Sequence, residues 1–197
     1  MSITHILIAI NAIVSLLGLY AHPRIIEIGM MIPYRTVRQK TWYEIITSGF
    51  VHASLGHLFF NMFTLFFFGP VLEQVLGPVL FLILYFSGLV VSSLPSLLKH
   101  KDNPEYATLG ASGAIESVLF AFILLFPFEK IYLMLIPIGI PAFIFGIMFI
   151  AYSIYASKQE GKVNHEAHIA GAVWGIIFMI VFVPGVIKHF LTTVGLG

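Results

Sequence analysis

Six long stretches of this chain carry almost no charge, and that limits the possible folds more than any other feature. Residues 3–20, 45–72, 74–98, 131–157 and 167–187 contain no Asp, Glu, Lys or Arg, and residues 106–128 are interrupted only by Glu116. A helix crosses the ~30 Å hydrocarbon layer of a bilayer in about 20 residues. Lipid offers no partner to a backbone N–H or C=O, so such runs are expected as helices rather than open strands. The runs predict an all-α, polytopic membrane protein. It is read as one domain, 1–197, with six transmembrane helices near residues 3–20, 53–72, 78–98, 111–127, 131–155 and 167–187. Gly and Pro mark the expected ends at Pro23, Gly69-Pro70, Gly77-Pro78, Pro104, Pro127 and Pro184-Gly185. Pro137 and Pro141 fall inside the fifth run and are expected to kink its helix.

Composition agrees and closes several function classes. Only 10% of residues are charged, against about 25% in a soluble domain. A net charge of +1 leaves no basic stripe for nucleic acid. The chain has no Cys, which excludes thiolate catalysis and Cys-bound metal, and its one Asp is Asp102. No Lys or Arg precedes the first run, so it reads as a membrane helix rather than a signal peptide. The connection from Ala21 to about Glu44 carries Arg24, Pro33, Arg35, Arg38, Lys40 and Trp42. That mixture suits the headgroup zone and predicts an interfacial loop with structure of its own.

Polar groups inside spans are costly, and each is a candidate functional residue. His57 and Asn61 are four residues apart and share a helical face. Both can donate hydrogen bonds into one cavity, or bond across helices as glue. Ser112 lies in Gly110-Ala111-Ser112-Gly113, where the fourth span begins. Its glycines permit unusual backbone angles and close approach, and amides at a helix N-terminus favour an anion. The same sequence also suits helix packing. His168 opens the last span beside Ala167, Gly171 and Gly175, a small-residue face that admits a neighbouring helix.

Spans two, four and six all enter from one face of the bilayer. His57, Asn61, Ser112 and His168 are therefore expected at similar depth in one leaflet. A nucleophile, a base and two donors at one depth suit acyl transfer. Serine needs an adjacent base, and His168 is the candidate because imidazole changes charge near neutral pH. His57, Asn61 and the Ser112 backbone N–H are candidate donors to the oxyanion that forms on attack at an amide. Lacking a usable Asp, the chain is expected to work with a Ser–His dyad. Water must reach the site through a hydrophilic cavity. A spanning-helix substrate would have to unwind first, so helix-destabilising residues should favour its cleavage.

These residues resemble the rhomboid family of intramembrane serine proteases. The likeness rests on His52, His57-x-x-x-Asn61, Gly69, Glu73 and Gly77, then Gly110-Ala111-Ser112-Gly113, then Ala167-His168-x-x-Gly171 with Gly175. It implies a six-helix rhomboid-like bundle with Ser112 as nucleophile, His168 as base, and His57 and Asn61 near the oxyanion. It also implies hydrolysis of peptide bonds in or near the transmembrane helices of membrane proteins, without metal or cofactor. The chain departs from the family pattern in three places. Trp42-Tyr43 stands where Trp-Arg is frequent, and Met179 replaces the third small residue of the last-helix repeat. Glu116 stands where the family often stacks an aromatic on the catalytic imidazole. It is expected either to orient or charge His168, or to be a neutral acid in a wet pocket.

The resemblance implies a multi-pass protein of the cell membrane, with termini in the cytosol and the site opening to the extracytoplasmic side. The distribution of Lys and Arg points the other way. Lys130 and Lys188 lie on the face of the termini, whereas Arg24, Arg35, Arg38, Lys40, Lys99, Lys101, Lys158 and Lys162 lie on the other. Three rival functions are considered. His165-Glu166-Ala167-His168 is one residue short of the H-E-x-x-H of metalloproteases. A catalytically silent rhomboid-like binding or quality-control factor would typically lack the serine or the histidine. A transporter would carry its polar groups near mid-membrane.

Overall fold

The computed structural model describes residues 2–133, 138–159 and 163–197. Helix α1 spans Ile3–Tyr20. Three short helices follow in the first connection, α2 (Arg24–Gly29), α3 (Pro33–Arg38) and α4 (Glu44–Thr47), and then a 3₁₀ turn at Ser48–Phe50. Helix α5 runs from Leu55 to His100, α6 from Ser112 to Leu125, α7 from Ala142 to Ala156, α8 from His165 to Phe182 and α9 from Val186 to Thr193. Three of these, α1, α5 and α8, are long and apolar enough to cross a membrane, while α6 and α7 are shorter apolar helices. The fold is a helical membrane bundle, as expected. Its outer faces expose Ile13, Phe66, Phe67, Leu98, Ile147 and Val181, which suits contact with lipid.

Two expectations about the elements change. The second and third runs form a single helical element, broken only at Gly77, whose φ of 77° and ψ of 161° are non-helical. The connection shrinks to that residue because Pro78 restarts a helix without needing its missing N–H. Pro70 does not end the helix; it lies within α5. The fifth run is not one helix. Strand β1 (Lys130–Tyr132) pairs antiparallel with β2 (Gly139–Pro141), placing Ile131 opposite Ile140. Pro141 caps the start of α7 and does not kink it. The hairpin satisfies its backbone groups by pairing, which meets the same demand that a helix would. Pro137 and Lys162 lie outside the described residues.

Helix α6 is the centre of the bundle. Helices α5, α7, α8 and α9 all pack on it, and every residue from Gly113 to Leu124 is buried. A helix apolar on all sides belongs inside. Small residues set its distance to α8. A Cβ on Gly171 would strike the carbonyl of Gly113, and one on Gly175 would strike that of Ser117. Ser117 Oγ donates to the Gly171 carbonyl at 2.9 Å, which fixes the register of the two helices. Within a bundle of apolar helices such close backbone approach replaces the hydrophobic driving force available in water.

Helix α1 is tied to α5 by one carboxylate. Glu73 accepts from the Ile3 N–H at 2.7 Å, the Thr4 N–H at 2.8 Å and the Thr4 hydroxyl at 2.7 Å. These are N–H groups that the first turn of a helix leaves without partners.

Candidate active site

Each polar residue singled out from sequence has a definite place. Ser112 is the first residue of α6. The preceding Gly110 has φ of 112°, and its N–H donates to the Ser48 carbonyl at 2.8 Å. Thr108, two residues earlier, exchanges backbone hydrogen bonds of 2.9 Å with Met31. The segment leading to the serine is thus pinned to the first connection, and the chain turns sharply to present Ser112.

His168 is brought to Ser112 by the α6–α8 contact. Gly171 sits against Gly113, so the residue one turn earlier on α8 lies level with the start of α6. Asn164 caps α8 by accepting from the Ala167 N–H at 3.1 Å. Its amide N–H₂ donates to Ser96 at 2.7 Å and to Thr108 at 3.2 Å, joining α8, α5 and the serine segment. The result is a 2.8 Å contact between His168 Nε2 and Ser112 Oγ. Both residues are half-buried.

His57 and Asn61 lie on the first turns of α5, capped by Ser54, whose hydroxyl accepts from the His57 N–H. The His57 imidazole packs directly on Gly110; a Cβ there would overlap its ring. Only glycine leaves that space, two residues before the serine. The Asn61 side chain is buried, and its Nδ2 has no hydrogen-bond partner among the described residues. Behind His57 lies His52, edge-on at 4.9 Å between ring centroids. Ser15 Oγ donates to the Phe50 carbonyl at 3.1 Å and lies 2.9 Å from His52 Nδ1, so that nitrogen carries the proton.

Glu116 is buried one turn below Ser112. It makes no hydrogen bond to His168, and its Oε2 is enclosed with no partner among the described residues. The aromatic neighbour of the imidazole comes instead from α7. The Phe149 ring lies 6.2 Å from that of His168, inclined by 30°. Sequence spacing did not reveal Phe149, because its run is aromatic throughout. Glu44 was missed as well. It is fully buried and accepts from Arg35 at 2.5 Å, from the Ile32 N–H at 3.0 Å and from Thr36 at 2.9 Å. This carboxylate organises the first connection, whose Met31 holds the serine segment.

His165, Glu166 and His168 do not converge on a common point. The two imidazoles stand edge-on at 5.8 Å, His168 turns to Ser112, and Glu166 pairs with Lys99 at 2.6 Å. Among the described residues, no three His, Cys, Asp or Glu side chains are grouped to hold a metal ion.

The same residues stand in the part of the chain that matches known proteins. The sequence model of the Rhomboid domain matches residues 39–185. The chain belongs to the rhomboid family. It is 31% identical over 188 residues to Rhomboid protein 1, mitochondrial, of Saccharomyces cerevisiae, covering 90% of this chain and 52% of that protein. It is 30% identical over 158 residues to RHOMBOID-like protein 12, mitochondrial, of Arabidopsis thaliana, covering 72% and 47%. The human Presenilin-associated rhomboid-like protein, mitochondrial, is 31% identical over 142 residues, covering 68% and 36%. The chain spans about half the length of the first two relatives. All three carry mitochondrial names, whereas the expectation for this rhomboid was the cell membrane; a membrane protein is what the apolar helices support.

Proposed function

We propose that this rhomboid is an intramembrane serine endopeptidase that hydrolyses peptide bonds in or near transmembrane helices by a Ser112–His168 dyad. The observation that carries this reading is the 2.8 Å contact between His168 Nε2 and Ser112 Oγ. It has the length expected when a base stands ready to take a hydroxyl proton. As Ser112 Oγ attacks the substrate carbonyl carbon, its proton passes to His168 Nε2. The carbonyl π electrons move to oxygen. Three N–H donors suit that oxyanion: the Asn61 amide, the His57 ring and the Ser112 backbone. The Asn61 Nδ2 without an acceptor and the first-turn position of the Ser112 N–H both support this role. Collapse breaks the C–N bond, and the leaving amine takes the proton from His168. Water, deprotonated by the same imidazole, then hydrolyses the acyl-serine ester and restores the hydroxyl.

The proposed substrates are single helices in the bilayer, whose backbone must open before the amide is accessible. The proposal also places the six apolar helical segments across the membrane as one domain, with the site opening away from the compartment of the termini. The excess of Lys and Arg on the opposite face makes orientation a separate question. A reporter fused to the C-terminus answers it: a signal from outside the cell reverses the proposed topology.

The activity is tested with purified wild type, Ser112→Ala and His168→Ala and a labelled single-span substrate in detergent. Cleavage by wild type and its loss in both folded variants is the expected result. Cleavage by folded Ser112→Ala at the wild-type rate removes Ser112 from the mechanism and overturns the dyad; failure of folded wild type to cleave overturns the proposal and leaves a rhomboid that binds membrane proteins without cutting them.

A further inference from the structure

Ser112, Glu116 and Phe120 are spaced by four and share one face of α6. The two ends of that stripe are located by their contacts. Ser112 meets His168 of α8 at 2.8 Å, and Phe120 packs on Phe149 of α7, with ring centroids 5.8 Å apart. Phe149 in turn lies beside the His168 imidazole. Glu116 therefore faces the junction of α6, α7 and α8, one turn below the nucleophile. A carboxyl in that place is at odds with its surroundings: Ile115, Val118, Leu119 and Phe120 are all buried around it in sequence. Glu116 itself is 9% exposed, and its Oε2 has no donor among the described residues. His168 Nε2 meets Ser112 rather than this carboxyl, and no Lys or Arg lies in α6, α7 or α8.

An unpaired buried acceptor is costly, and a substrate group that supplies its donor is favoured over an analogue that leaves it unpaired. The substrate residue nearest to Glu116 follows from the chemistry. In the acyl-enzyme the carbonyl carbon is bonded to Ser112 Oγ, so the side chain of the residue contributing that carbonyl is held within about one helical turn of the nucleophile. A lysine or arginine has the reach and the donors to meet a carboxylate at that depth, and its apolar stem suits the walls.

We propose that Glu116 is a specificity-determining residue that selects substrates with lysine or arginine on the acyl side of the scissile bond. This rests on the proteolytic reading above. The test is a panel of otherwise identical single-span substrates with Lys, Arg, Leu, Ala or Glu at that residue. Each is cleaved by purified wild type, Glu116→Gln and Glu116→Lys, all checked for folding by thermal unfolding in detergent. Wild type is expected to prefer Lys over Leu by at least about tenfold in kcat/KM, as a close buried charge pair gives. Glu116→Gln loses most of that ratio, and Glu116→Lys shifts the preference to Glu. If the charge-reversed variant does not fold, the Gln variant decides. Equal Lys-to-Leu ratios in wild type and Glu116→Gln overturn the inference, including the case in which only the pH profile moves, which assigns the carboxyl to the imidazole. Failure of wild type to cleave any member of the panel overturns the proteolytic reading itself.

Discussion

The contact between Gly171 and Gly113 makes a quantitative demand on the dyad. Replacing Gly171 by alanine places a methyl group on the Gly113 carbonyl oxygen and carbon. Both are backbone atoms of the helix that begins at Ser112, so no side chain can rotate away. Restoring ordinary van der Waals separation requires α6 and α8 to part by on the order of 1 Å. Overpacking of this kind costs about 1–3 kcal/mol. Alanine gives back about 1 kcal/mol over glycine in a helix, leaving a net loss of roughly 0–2 kcal/mol, so the variant folds. Catalysis is affected more. His168 lies one turn before Gly171, and a shift of that size takes the 2.8 Å contact with Ser112 beyond hydrogen-bond length. A displacement of about 1 Å costs about 10²-fold in rate. Steady-state cleavage of a labelled single-span substrate reads this as a fall in kcat, while the thermal midpoint in detergent stays close to wild type. Gly56→Ala is the control, because a Cβ there meets only Ser54 Oγ at 3.9 Å. If Gly171→Ala keeps its kcat within about twofold, the small-residue contact does not set the dyad geometry and the reasoning fails.

Three further outcomes follow from other residues. Asn61→Ala should lower kcat by about 10²–10³-fold while leaving stability within about 1 kcal/mol, because its Nδ2 has no partner to lose; a marked drop in the thermal midpoint with activity retained would assign it to packing. Glu44→Ala strips acceptors from Arg35, Ile32 and Thr36 at a fully buried position, and should destabilise by about 3 kcal/mol, the low end for a broken buried pair because Arg35 is partly exposed; equilibrium unfolding in detergent checks this. Asn164→Ala removes a helix cap worth about 1 kcal/mol together with the links to Ser96 and Thr108, so it should lower both the thermal midpoint and kcat, whereas Lys99→Ala, which breaks the exposed pair between α5 and Glu166 of α8, should change neither.

The parts of the site legible in the sequence were those fixed by helical spacing and by topology. His57 and Asn61 fall on one face because they are four apart, and the expected order of spans puts Ser112 and His168 at one level, where the packing of Gly171 on Gly113 joins them. What the sequence could not supply was pairing between distant segments. Apart from Lys130 at its edge, the hairpin at residues 130–132 and 139–141 lies in the same uncharged run as the helix that follows, so the absence of charge predicts a span there without revealing a hairpin. Glu44 looks from sequence like an ordinary loop acid; its burial comes from Arg35, Ile32 and Thr36 closing around it. Glu116 shares the Ser112 face by its spacing of four, but spacing along one helix does not say which neighbours that face meets. The aromatic beside His168 came from α7 instead.

Proteolysis as proposed requires Ser112 to be a nucleophile made reactive by His168. The most direct measurement is covalent labelling of the purified protein with a serine-reactive fluorophosphonate, followed by peptide mapping. A single phosphonylated residue, Ser112, is expected, with labelling abolished in Ser112→Ala and strongly slowed in folded His168→Ala. Labelling at another serine, or a wild-type labelling rate in the absence of His168, would contradict it.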